Sequence, residues 1–150
     1  MSPEVRREVQ RLIREYKLNC TVEDFEYRIN WENVSWYQTL SEDFIREFKD
    51  KVYWKSICVS SCLSDSFIRE FRDYVYWYGI SWYQTLSEDF IREFRDKVDW
   101  ENISCCQRLS DDFIREFAEV LDLDSVLEYQ LHMGEQLKKD LKFYIEYKQL

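Results

Sequence analysis

Glycine and proline are nearly missing from this sequence: two glycines and one proline in 150 residues. Hairpins and irregular loops depend on those two residues for left-handed or fixed-φ backbone, so a β-rich or loop-rich fold is excluded and an all-α one follows. Histidine is confined to His132, which leaves general acid–base chemistry short of its commonest group. The sequence contains neither a phosphate-binding glycine loop nor a G-x-S-x-G nucleophile elbow. No run approaches the roughly 18 apolar residues of a membrane span, and the opening MSPEVRREVQ lacks the apolar stretch of a secretory signal. These absences point to a non-enzymatic, cytoplasmic protein that carries no cofactor and contacts no membrane.

Positive charge is also scarce. The formal net charge is -9, and its distribution matters more than its sum. Residues 1–17 hold five basic and three acidic groups and residues 138–150 hold four and two, so each end is +2 and residues 18–137 carry -13. No cationic stripe is left to neutralise phosphates, and direct nucleic-acid binding is not expected. The cysteines are odd in number, Cys20, Cys58, Cys62, Cys105 and Cys106, which fits reduced thiols better than a disulfide framework.

Aromatic residues, by contrast, make up 18% of the chain, ample for a packed interior. They fall at a fixed step. FIREF begins at Phe44, Phe67, Phe90 and Phe113, and Trp31, Trp54, Trp77 and Trp100 keep the same spacing of 23, as do Leu40, Leu63, Leu86 and Leu109. A period of this length is the signature of a repeat architecture. Four repeats span residues 31–53, 54–76, 77–99 and 100–122, a decayed fifth with a C-cap occupies 123–150, and an N-cap occupies 1–30. Together they predict one all-α solenoid domain of two-helix repeats, with divergent ends that shield apolar faces.

Within a repeat, SEDFIREFKDKV predicts a helix through Val52. Ser41 is placed to cap it, Glu42 and Asp43 complement its dipole, and Glu42 with Arg46 and Glu47 with Lys51 make i,i+4 pairs. At 100° per residue Leu40, Phe44, Ile45, Phe48 and Val52 share one face. WENVSWYQT predicts a shorter partner helix on which Trp31, Val34 and Gln38 align. Trp31, Val34, Leu40, Phe44, Ile45 and Phe48 and their equivalents are the expected core. Gln38, Gln84, Gln107 and Gln130 recur on an apolar face, where an unpaired amide costs about 1–3 kcal/mol, so each is expected to bond a turn or a neighbouring repeat. Arg46, Arg69, Arg92 and Arg115, each followed by glutamate, predict an ion-pair ladder. Cys58 and Cys62 lie two repeats from Cys105 and Cys106, about 20 Å at the spacing of packed helices, too far for one shared zinc.

Positions that vary between copies are free to carry function. On the short helices one outward position reads Glu32, Lys55, Tyr78 and Glu101, and another reads Trp36, Val59, Trp82 and Cys105. Large aromatics at variable outward positions suggest partner-binding residues, since Trp and Tyr are favoured interface anchors. The structural alternative is that each Trp tucks under the adjacent repeat. Trp36 and Trp82 are two repeats apart, close enough for one standard interface to span.

The segment LSEDFIREFRDKVDWENIS, residues 86–104, resembles the short tandem repeats of uncharacterised proteins encoded by giant DNA viruses, bacteriophages and related mobile elements. The likeness covers about residues 22–131 and implies a setting in host cytosol, where small binding proteins disable defence machinery. The leading expectation is a binder that inhibits a host defence protein, itself a monomer or small closed oligomer. An acidic mimic that fills a nucleic-acid-binding groove and a self-assembling structural repeat are the alternatives.

Overall fold

The computed structural model describes residues 1–148, which hold twelve helices and no strand. It divides into two compact units, Met1–Tyr76 and Trp77–Leu150, and the division falls between the second and third repeats.

The first unit runs α1 (Pro3–Glu15), α2 (Phe25–Arg28), α3 (Trp31–Tyr37), α4 (Glu42–Glu47), α5 (Trp54–Ser60) and α6 (Asp65–Glu70). The second runs α7 (Trp77–Tyr83), α8 (Glu88–Glu93), α9 (Trp100–Cys106), α10 (Asp111–Glu116), α11 (Leu123–Tyr129) and α12 (Glu135–Lys148). The helices α3, α5, α7, α9 and α11 begin 23 residues apart, so the decayed fifth copy keeps phase. Within the units the first helices of successive repeats pack on one another, α3 on α5, α7 on α9 and α9 on α11.

Each FIREF helix opens as its sequence dictates. The hydroxyls of Ser41, Ser64, Ser87 and Ser110 accept the amides of Phe44, Phe67, Phe90 and Phe113, each at 3.2 Å, and satisfy one orphan donor apiece. The helix then ends five residues short of Val52. Phe48 leaves helical geometry at φ -114°, ψ 29°, and its carbonyl accepts both Lys51 N and Val52 N. The cause lies on the partner helix: the Ser35 hydroxyl, itself buried, accepts Tyr53 N at 3.1 Å and pins the chain on its way to the next repeat. Ser81 does the same for Asp99 N and Ser104 for Asp122 N. In the second repeat a buried thiol substitutes, Cys58 Sγ accepting Tyr76 N at 3.3 Å. The FIREF helices are therefore the shorter of each pair, against the expectation from sequence.

The core matches expectation except at tryptophan. Val34, Leu40, Phe44, Ile45 and Phe48 and most of their equivalents are buried. Trp31, Trp54, Trp77 and Trp100 are only half-buried, because an indole N–H must be satisfied. Trp31 donates to Glu26 O, Trp54 to Lys49 O and Trp100 to Arg95 O at 2.9–3.0 Å, which holds that edge at the surface. The ring face packs on the second Phe of FIREF, with Trp54–Phe71, Trp77–Phe94 and Trp100–Phe117 centroids 5.0–5.1 Å apart.

Three polar ladders join successive repeats. Gln107 Nε2 donates to Ser81 O (2.9 Å) and Gln84 O (2.7 Å) while its Oε1 accepts Leu86 N (3.0 Å). Gln130 repeats this on Ser104 O, Gln107 O and Leu109 N, so the recurring amides close the turn of the preceding repeat. Gln38 instead meets Arg11, Glu15 and Tyr16 of the N-terminal segment. Second, Glu42 accepts Ser64 N at 2.7 Å and Glu88 accepts Ser110 N at 2.6 Å. Glu8 on α1 accepts Ser41 N in the same way, and α1 lies against α4 with Val5, Val9 and Leu12 buried. Third, Arg46 Nε reaches Glu70 at 2.9 Å with its guanidinium 5.0 Å over the Phe67 ring, and Arg92 treats Glu116 and Phe113 identically. The expected Glu42–Arg46 pair forms at 3.5 Å, but Glu47 meets the N-terminal ammonium and Lys51 meets Glu26 in place of each other.

Candidate functional site

The short first helices bury one face and present the other. Val34, Ile57, Ile80, Ile103 and Val126 lie wholly inside, which turns the positions two before and two after them outward on a 100° wheel. Of the eight candidate partner-binding residues, Glu32, Trp36, Lys55, Tyr78, Trp82 and Glu101 are exposed, and Val59 and Cys105 are half-buried. Trp36 is 48% exposed and Trp82 43%, so neither indole is tucked under a neighbouring repeat.

In the first unit Glu32 and Trp36, with Asn30, Asn33 and Tyr37, line a shallow hollow of about 290 Å³. The Lys55 ammonium lies 5.1 Å over the Tyr76 ring, so this cation is already spent on an aromatic of its own repeat. In the second unit Tyr78, Trp82 and Tyr83 are drawn together. The Tyr78–Trp82 centroids are 5.8 Å apart at 33°, and Trp82–Tyr83 are 6.0 Å apart at 29°. Ring contacts at these distances hold the side chains in place without burying their outer faces.

Tyr37 in the first unit and Tyr83 and Tyr129 in the second are also exposed, at one repeat position that the sequence analysis does not single out. Its signal was present: tyrosine returns at twice the 23-residue step, with Ser60 and Cys106 between. The Glu128 carboxylate beside Tyr129 pushes that phenol upward, with burial and Cys105 and Cys106 adding to the effect.

His132 and Cys58 both contact backbone groups. His132 Nε2 lies 2.7 Å from Leu109 O; a carbonyl only accepts, so this nitrogen carries the hydrogen. Burial pushes the Cys58 thiol up to about 11, far from a reactive thiolate at neutral pH. Cys105 and Cys106 place their sulfurs 2.8 Å apart, and burial followed by the Cys105 contact raises Cys106 to about 11 as well. Among the described residues no three Cys, His, Asp or Glu side chains cluster as metal ligands, and no helix is long and apolar enough to cross a membrane.

Four of the acidic groups that open the FIREF helices are engaged. Glu42 and Glu88 hold serine amides of the next repeat, and Asp43 and Asp89 pair with Arg46 and Arg92 at 2.9 and 3.0 Å. No protein-family model, characterised protein or solved structure matches this chain.

Proposed function

We propose that this chain is a protein-binding module without catalytic activity, that it anchors a partner through the exposed aromatics of its first helices, and that it serves a virus or mobile element by occupying a host defence protein in the cytosol. The resemblance of its repeats supports that setting. The observation that carries the binding role is the exposure of Trp36 and Trp82 at positions the repeat does not dictate, since Val59 and Cys105 stand there in other copies. A tryptophan left near half-exposed gives up roughly 100 Å² of apolar surface to a partner. At about 25 cal/mol per Å² that is worth about 2–3 kcal/mol on binding.

The experiment is affinity capture from host cytosol, followed by titration of the captured protein against purified wild type, Trp36→Ala and Trp82→Ala. Each substitution should weaken binding by more than about 1 kcal/mol with helicity and melting temperature unchanged. Full affinity in both folded variants would sink the assignment of this face.

A further inference from the structure

We infer that the outer face of α7, α9 and α11 receives a cationic, arginine-rich polypeptide segment, whose guanidinium groups stack on Tyr78, Trp82 and Tyr83 between the carboxylates of Glu101, Asp124 and Glu128. This names a partner class for the proposed binding role and rests on that reading.

The inference follows from how charge is used in the second unit. On α8 the carboxylates share a cation: Arg92 lies within 4 Å of Glu88 and Asp89, and of Glu116 on α10. On the first helices they do not. Glu101, Asp124 and Glu128 are exposed, and among the described residues none makes an ion pair. The segments WYGISWY, WENISCC and LDSVLEY contain neither lysine nor arginine, and Arg108, exposed in the turn after α9, is the nearest basic residue in sequence.

Position also favours the pairing. Tyr78, Glu101 and Asp124 occupy one place in three successive repeats whose helices pack directly, and Trp82, Cys105 and Glu128 occupy another. At an interaxial spacing of about 8–10 Å, each aromatic of α7 has a carboxylate one or two helices away. An extended peptide with side chains alternating at about 6.6–7 Å can meet both. The chain joins the same three groups inside itself, there with ring and carboxylate one turn apart on α10: the Arg92 guanidinium sits 5.0 Å over Phe113 while Glu116 holds it at 2.9 Å. On the outer face of α9 and α11 the carboxylates of Glu101, Asp124 and Glu128 have no such cation among the described residues. Arginine suits such a place better than lysine, because its planar, weakly hydrated group stacks on a ring and still forks to a carboxylate.

The test titrates fluorescent 12-residue peptides of alternating arginine and glycine, lysine and glycine, or glutamate and glycine against the full chain, reading anisotropy and tryptophan quenching. The arginine peptide should bind at least five-fold tighter than the lysine peptide, and the glutamate peptide should not bind. Trp82→Leu and, separately, Tyr78→Leu should weaken arginine-peptide binding at least five-fold at constant net charge. Glu101→Gln with Glu128→Gln should weaken it at least five-fold, whereas the same charge change at Asp112→Asn with Glu146→Gln should cost less than two-fold. Equal losses in the two charge pairs, or no loss in either leucine variant, would mean diffuse attraction to an acidic chain and would overturn the inference. If the host partner still needs Trp82 while the peptides show no preference, the binding role stands and the cationic class falls. If neither depends on Trp82, both fall.

Discussion

The amide of Gln107 is the sharpest place to test the ladder that joins repeats. It is buried and makes three hydrogen bonds to the turn of the preceding copy, at 2.7–3.0 Å. Gln107→Ala deletes all three at once. Leu86 N, a buried donor, then has no partner, which costs about 1–3 kcal/mol. Ser81 O and Gln84 O lie at the end of α7, where water can partly replace the lost donor, and add about 1 kcal/mol. The expected loss is about 2–4 kcal/mol, or a fall in melting temperature of roughly 5–15 °C for a chain of this size. Thermal and urea unfolding followed by helical circular dichroism measure it.

Gln107→Glu sharpens the reasoning because the two ends of the amide do different work. A carboxylate still accepts Leu86 N but faces two carbonyl oxygens that the amide nitrogen used to hold. Only the protonated acid can donate to one of them, so the folded state raises this carboxyl's pKa above its unfolded value of about 4.3. A group so raised contributes stability below the unfolded pKa and loses it as pH rises through the folded one. The gap between wild type and Gln107→Glu should therefore be small near pH 4 and widen toward pH 7. Gln38→Ala is the control, since its bonds to Arg11 and Glu15 are exposed and their loss should cost less than about 1 kcal/mol. A Gln107→Ala protein as stable as wild type, or a Gln107→Glu gap independent of pH, would refute the clamp.

Two further outcomes follow from the same structure. Phe90→Ala removes a wholly buried ring and should cost about 3–5 kcal/mol in urea unfolding; a loss below about 1 kcal/mol would mean the FIREF rings are not packed core. Cys58 keeps its proton to about 11 when folded, against an ordinary 9.0, so the unfolded chain sheds that proton first and stability falls as pH rises from about 9 to 11. Cys58→Ser retains an acceptor for Tyr76 N, as the other repeats do, and should flatten that part of the alkaline loss; an unchanged alkaline slope would show that the thiol does not contribute.

The period, the start of each helix and the identity of most core positions were legible because each is a one-dimensional signal: a step of 23, a serine three residues before an amide, a phenylalanine at helical spacing. The end of the FIREF helix was not. Val52 lies on the apolar face whether a helix or a turn carries it there, so a wheel drawn at 100° per residue is satisfied by both. What decides is Ser35, 18 residues away on another helix, taking Tyr53 N. Its recurrence as Ser81 and Ser104, with Cys58 between, was visible, yet a serine mid-helix has no local reading that reveals a long-range acceptor. The exposed edges of the repeat tryptophans are hidden in the sequence for a similar reason. Their step marks them as structural, but the indole N–H reaches a carbonyl five residues back and keeps one edge outside.

Acidic residues show the same degeneracy with a functional consequence. Glu42 and Asp43 satisfy a helix dipole, a mimic's ridge and a ladder equally well as letters. The structure assigns Glu42 to Ser64 N and Asp43 to Arg46, and Glu88 and Asp89 to the corresponding partners of the second unit. One arginine serves three carboxylates in each unit, Arg46 with Glu42, Asp43 and Glu70 and Arg92 with Glu88, Asp89 and Glu116, so the ladder lowers the charge of the ridge without cancelling it. Net charge follows from composition, but the charge a partner can meet follows from the fold. In the second unit Glu101, Asp124 and Glu128 carry such charge in rows shared with Tyr78 and Trp82. A phosphate-like row would not be interrupted by aromatic rings, and a purely packing surface would not leave carboxylates there without cations. A surface that alternates the two is suited to a ligand that is flat and positively charged at once.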